Sequence, residues 1–194
     1  VLQKVNIPVI AAGGFRDGSG LAAALAWGAD GIAMGTRFMM TQESPVPSQT
    51  KESYISAGID DIKITKKFDG LPHRLIFNDY IKKIDHSNPF TLLWISIGSA
   101  IKYKQLTQSS YKDLIKAFFA MLKGDDLTIS QSVMSANSPA IIQKAMVEGF
   151  PEEGAMPSGQ VAGIITNLPA CEDLVLEIMS DFDQACSKLE GIRR

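Results

Sequence analysis

The sequence is poor in the residues that build metal and disulfide sites, with 2 cysteines and 2 histidines in 194 residues. Cys171 and Cys186 are too few for a disulfide framework or a zinc site, and no metal is expected. Both are expected to pack in a C-terminal helix, in a reducing, cytoplasmic setting. Excess charge is also missing: 19 Lys and Arg stand against 21 Asp and Glu, a net charge of −2. That balance gives no electrostatic case for nucleic acid or an anionic membrane as partner. The lysine pairs at 66–67 and 82–83 read as solvated faces. The longest apolar run, PFTLLWISIGSAI at 89–101, is too short to cross a bilayer. No signal peptide is visible. The dinucleotide fingerprint GxGxxG, with its acidic ribose ligand, is absent, and so is a Walker A lysine.

What remains is an ordinary globular composition, 45% hydrophobic and 21% charged. One domain, or a domain with a subdomain, is expected. Ile7–Ala12 is a short apolar run that reads as a buried strand of a parallel sheet. Gly13–Gly14 ends it. Asp17 or Ser19 can cap a helix with an apolar face of Leu21, Ala22, Leu25 and Ala26, and Gly28 is placed to stop it. Gly31–Met34 reads as the next strand, ending at Gly35. Strand, helix and strand in about 30 residues match one right-handed βαβ unit. Since the chain opens almost directly on a strand, the flanking strands are expected in a longer parent or on another chain.

After Thr41 the character changes. Pro47 suits the first turn of a helix ending near Gly58. Ile62 and Ile64 alternate with polar residues as in an exposed strand. Helical spacing marks 75–84 and 110–123, and a short helix is expected after Pro139. Residues 152–160 read as a turn-rich loop. Leu174, Val175, Ile178, Met179, Phe182, Cys186 and Leu189 form one stripe of a terminal helix closed by Gly191.

The two glycine turns carry the chemistry. A phosphate dianion needs several N–H donors converging on one spot, and glycine lets the backbone approach because no Cβ intervenes. Helix N-termini add N–H groups and a favourable dipole. Gly13 and Gly14 follow one strand; Met34, Gly35 and Thr36 follow the next, and the Thr36 hydroxyl can add a donor. In a (β/α)₈ barrel the loops after strands seven and eight form the usual phosphate site, and this spacing fits those two loops. A plain pair of tight turns is the structural alternative.

The segment IPVIAAGGFRDGSGLAAALAWGADGIAMGTRF resembles the flavin phosphate-binding segment of the nitronate monooxygenase family. The pattern extends to flavin-dependent enoyl-acyl-carrier-protein reductases. MPSGQVAGIITNLPACEDLV (156–175) is similar to that family's late loop and final helix, and LPHRLIFND (71–79) to a weaker segment. The resemblance implies an α/β fold: the C-terminal part of a TIM barrel with a mainly helical inserted subdomain. Residues 1–44 would supply the last two barrel strands, 45–155 the insert, and 156–194 the return loop and final helix. It implies FMN, held through its phosphate by Gly13 and Gly14 on one side and by Met34, Gly35 and Thr36 on the other. Ser158 would be a further flavin contact, with Gln160 nearby, and Arg37 a structural ion pair. The catalytic histidine of the family precedes the matched segment, so it is expected upstream of Val1; neither His73 nor His86 matches that role.

The activity implied is oxidation of alkyl nitronates by O₂ to a carbonyl and nitrite. The alternative within the resemblance is FMN-dependent reduction of an enoyl thioester; both take a small-molecule substrate. Inosine monophosphate dehydrogenase and guanosine monophosphate reductase also combine a GG turn with a later M-x-G turn, but need a cysteine soon after, and Cys171 is too distant. A third reading is an inactive barrel fragment that acts by association, which leaves a homo-oligomer open.

Overall fold

The computed structural model describes residues 2–88, 91 and 129–192. The expected helix at 110–123 and the apolar run at 89–101 fall wholly or almost wholly outside them. The chain is α/β and forms two compact units, Val1–Pro45 with Gly159–Arg194, and Val46–Ser158.

In the first unit β1 (Ile10–Ala12) and β2 (Gly31–Ala33) pair in parallel, with Ile10 opposite Gly31, Ala11 opposite Ile32 and Ala12 opposite Ala33. Both strands are shorter than their apolar runs. Asp30 fixes the entry to β2: its carboxylate accepts from Val9 N at 2.8 Å, and its own N–H donates to Val9 O at 2.8 Å. The expected burial is not met: among the described residues β1 and β2 have only each other in this sheet, and Ile10 stays 55% exposed.

Between the strands runs α1 (Gly18–Ala26). Asp17, not Ser19, is its N-cap, and its carboxylate accepts from Gly20 N at 3.0 Å. Gly28, at φ +99°, turns the chain out of the helix as expected. The buried residues are Gly18, Ala22 and Ala24, whereas Leu25 and Ala26 face solvent. The reason is the neighbour: α1 lies against α6 (Cys171–Ile192), and small side chains allow the close approach. Of the seven-residue stripe on α6, Leu174 and Ile178 are buried and Phe182 and Cys186 half-buried, while Val175, Met179 and Leu189 are exposed. The helix runs through Gly191 rather than closing there. A four-residue helix, α2 (Thr36–Met39), follows β2.

The second unit holds α3 (Ser48–Ser56), with Pro47 at its N-cap position and no side-chain cap bond, then β3 (Ile62–Thr65) antiparallel to β4 (His73–Ile76). The helix expected over 75–84 is thus displaced: Leu75 and Ile76 belong to β4, and α4 covers Asp79–His86. Asn78 sets the boundary. Its side chain accepts from Ile81 N at 2.9 Å and donates to Gly154 O at 2.8 Å and to Pro151 O. Helix α5 (Ile129–Met146) contains Pro139 instead of starting after it. Phe68, Leu75, Phe77, Ile81, Ile84, Ile141 and Ala155 form the core of this unit. The loop at 152–160 is partly ordered against β4: Ile76 N donates to Met156 O at 3.0 Å, and Ser158 N to Arg74 O at 3.1 Å.

Candidate functional site

Because β1 and β2 are parallel and end in register at Ala12 and Ala33, the residues after them leave from the same edge of the sheet. Gly13 and Gly14 follow one strand, and Met34, Gly35 and Thr36 the other. Gly13 and Gly14 have φ +95° and +83°, conformations that L side chains rarely adopt. A Cβ at either would meet nothing within 4 Å, so what demands glycine is the backbone angle. Both residues are exposed, as is Gly35.

At the N-terminus of α1 the Asp17 carboxylate takes one N–H, that of Gly20. The Thr36 Oγ1 accepts a hydrogen bond from Gly159 N at 2.8 Å, so its acceptor side is engaged while its O–H hydrogen is the donor left to offer. Gly159 is a contact of Thr36 that sequence reasoning passed over, although it lies between the two residues singled out in PSGQ. A Cβ on it would come within 2.8 Å of Thr36 Oγ1, which explains the glycine. Gln160 opens a 3₁₀ turn over Gln160–Ile164 in the same unit, with its side chain exposed.

Ser158 belongs to the second unit. Its Oγ is buried and has no hydrogen-bond partner among the described residues, an arrangement that buried hydroxyls usually avoid. The Pro157–Ser158 peptide is held at both ends: Ser158 N donates to Arg74 O, and Pro157 O accepts from the Tyr54 hydroxyl. Burial pushes the Tyr54 hydroxyl well above the usual tyrosine range, so it stays a donor.

Arg37, 5% exposed, turns away into its own unit. Its Nη2 donates to Asn167 Oδ1 at 2.9 Å and lies 3.8 Å from Glu177 Oε2; its Nη1 donates to Asn167 O at 3.4 Å. Burial lowers its pKa from the ordinary arginine value, and the Glu177 carboxylate works against that shift. The structural ion pair expected for Arg37 is present, with Asn167 as its nearer partner. His73 Nε2 stands 2.8 Å from the buried Asp69 carboxylate, and its ring meets Phe68 edge-on at 5.8 Å, a packing role. His86 lies exposed at the end of α4, its Nδ1 2.7 Å from Lys82 O. Cys171 and Cys186 lie on the terminal helix α6, as expected, and both are free thiols. No cluster of metal-ligating side chains occurs among the described residues. Nor is any described helix long and apolar enough to cross a membrane.

A family model described as nitronate monooxygenase matches residues 1–181. A protein of Rhodococcus jostii (strain RHA1) named (3aS,4S,5R,7aS)-5-hydroxy-7a-methyl-1-oxo-octahydro-1H-indene-4-carboxyl-CoA dehydrogenase is 43% identical over 193 residues, covering 100% of this chain and 55% of that protein. Its namesake from Mycobacterium tuberculosis (strain ATCC 25618 / H37Rv) is 42% identical over 176 residues, 91% of this chain and 50% of that protein. Among solved structures, FabK from Thermotoga maritima superposes with a TM-score of 0.65 at 29% identity, covering 99% of this chain and 49% of that one. The chain thus spans about half the length of the relatives it matches. On a family match that runs through both glycine turns and into the terminal helix, the chain belongs to the nitronate monooxygenase family of flavin-dependent oxidoreductases.

Proposed function

We propose that this chain carries the phosphate-holding part of an FMN site in a flavin-dependent oxidoreductase. One observation carries the reading: two adjacent parallel strands end in register, so that Gly13–Gly14 and Met34–Gly35–Thr36 leave from one edge. The backbone of the first turn requires glycine, and the Thr36 hydroxyl keeps a hydrogen to donate. Within the second unit, the buried Ser158 Oγ keeps a hydroxyl without a hydrogen-bond partner among the described residues. Bound flavin supplies two-electron redox chemistry, while the protein supplies binding, orientation and electrostatics. In this reading residues 1–44 are the last two strands of a TIM barrel, 45–155 an inserted subdomain, and 156–194 the return loop and last helix. The full activity belongs to a longer architecture in which the relatives have about twice this length.

Two substrates fit. Alkyl nitronates, oxidised with O₂ to a carbonyl and nitrite, follow from the family. A carboxyl-CoA thioester on a fused ring skeleton follows from the two relatives matched over nearly the whole chain, whose names carry that substrate. The first test is the absorbance spectrum of the purified protein with and without added FMN. Near-stoichiometric flavin bands are expected; a protein that leaves added FMN unbound overturns the reading. Anaerobic bleaching of the flavin by a nitronate, by an acyl-CoA or by NADH then separates nitronate oxidation, thioester dehydrogenation and enoyl-thioester reduction.

A further inference from the structure

The segment Gly159–Cys171 follows α2 and the residues after it almost bond for bond. Gly159 N reaches Thr36 Oγ1 at 2.8 Å, and Asn167 takes the Arg37 guanidinium on both its oxygens. Gln42 N and Nε2 donate to Pro169 O at 3.0 Å and Leu168 O at 3.2 Å. The Glu43 carboxylate accepts from Cys171 N at 2.9 and 3.0 Å. Arg16, two residues beyond Gly14, donates to Ile164 O at 3.1 Å. Both glycine turns are therefore tethered to one segment more than 120 residues away in sequence.

Arg37 is the strongest of these tethers. It directly follows Thr36, it is buried, and its planar fork meets two oxygens of a single residue. The cleft it lines with Arg16, Asp17, Asn167, Glu177 and Asp181 has about 170 Å³, well below the size of an ordinary small-molecule site. The guanidinium serves the turn and not a ligand of its own.

Resting on the phosphate-cradle reading above, we propose that Arg37 and Asn167 are positioning residues for the flavin phosphate. They hold α2 so that the Thr36 hydroxyl and the Gly35 backbone keep the arrangement an incoming phosphate requires. The prediction is a selective one. Riboflavin has the flavin ring but no phosphate, so a positioning role shows as a change in the ratio of FMN to riboflavin affinity. Loss of a hydrogen bond to a charged group is expected to weaken FMN binding about tenfold in Asn167→Ala, with riboflavin binding unchanged. Asn167→Asp, which keeps an acceptor oxygen facing Arg37, is expected to retain the ratio of the unsubstituted protein. Gly159→Ala, which sets a methyl against Thr36 Oγ1, is expected to lower the ratio as well.

The test is fluorescence titration of the purified protein and its variants with both flavins, alongside thermal unfolding of the flavin-free forms. An equal loss of affinity for both flavins in Asn167→Ala, or an unchanged ratio in a folded variant, overturns the positioning role and leaves the cradle reading intact. Failure of the unsubstituted protein to bind either flavin overturns the cradle reading and this inference with it. A protein that binds both flavins equally has no phosphate site for Arg37 to position, which also overturns the inference.

Discussion

Gly18 has no room for a methyl group: an added Cβ would lie 2.0 Å from Ile178 O and 2.3 Å from Phe182 N. Those are backbone atoms of α6 and cannot rotate aside. Gly18→Ala is expected to cost about 1–3 kcal/mol, read as a lowered denaturant midpoint. Gly20→Ala, two residues on, would meet side chains alone, the Phe15 ring at 3.0 Å and Asp17 Oδ1 at 3.6 Å, and gains up to about 1 kcal/mol of helix propensity. A larger loss at Gly20 than at Gly18 would contradict the α1–α6 contact. Tyr54 offers a pH test. Its folded pKa is raised above the unfolded value of about 10, so the folded state holds the proton longer. Its stabilisation is complete below that pH and is lost as pH rises towards the folded pKa. Unfolding free energy should therefore fall more between about pH 9 and 11 in the unsubstituted protein than in Tyr54→Phe. These effects had unequal signals in the sequence. Paired glycines after an apolar run announced a turn, but nothing near Gly18 announced a helix 150 residues later.

At the scale of elements, caps decide boundaries. Asn78 ends the extended stretch and begins α4, although Ile76, upstream of that boundary, shares the helical spacing of Tyr80, Ile81 and Ile84 within it. Periodicity alone therefore extended the helix backwards into β4, whose pairing with β3 it could not register. Asn78→Ala removes the cap and strands two carbonyls, so a loss of about 2–4 kcal/mol is expected by chemical denaturation. A loss below that of the half-buried cap variant Asp17→Ala, about 1 kcal/mol, would show that the Pro151 and Gly154 contacts contribute nothing. Helix α6 has a cap of another kind, Glu43, supplied from 128 residues away. Local cap signatures, which look a few residues back, have no means to find it.

For the molecule as a whole, the balance of charge and the scarcity of cysteine are matched by free thiols and scattered ion pairs among the described residues. The first unit leaves Ile7, Trp27, Leu176 and Ile192 more than half exposed. Large apolar side chains left open in this way favour association. Sedimentation of the purified chain should show mass rising with concentration, and the double variant Leu176→Lys, Ile192→Lys should reduce the rise. A constant monomer mass across the series would sink this expectation.

The sequence by itself determined the pieces whose causes are local. A positive φ needs glycine, a helix start needs a capping side chain, and a βαβ unit needs its span, so the two turns and their spacing were legible from 7 to 38. Tertiary structure decided the rest. It chose the small-residue face of α1 over its leucine, narrowed the stripe of α6 to the side that meets α1, and brought Asn167 to Arg37 and Gly159 to Thr36. Those choices depend on which surfaces meet after the chain has folded back on itself. A hydrogen bond spanning 123 or 130 residues has no local signal, because its partners become neighbours only through packing.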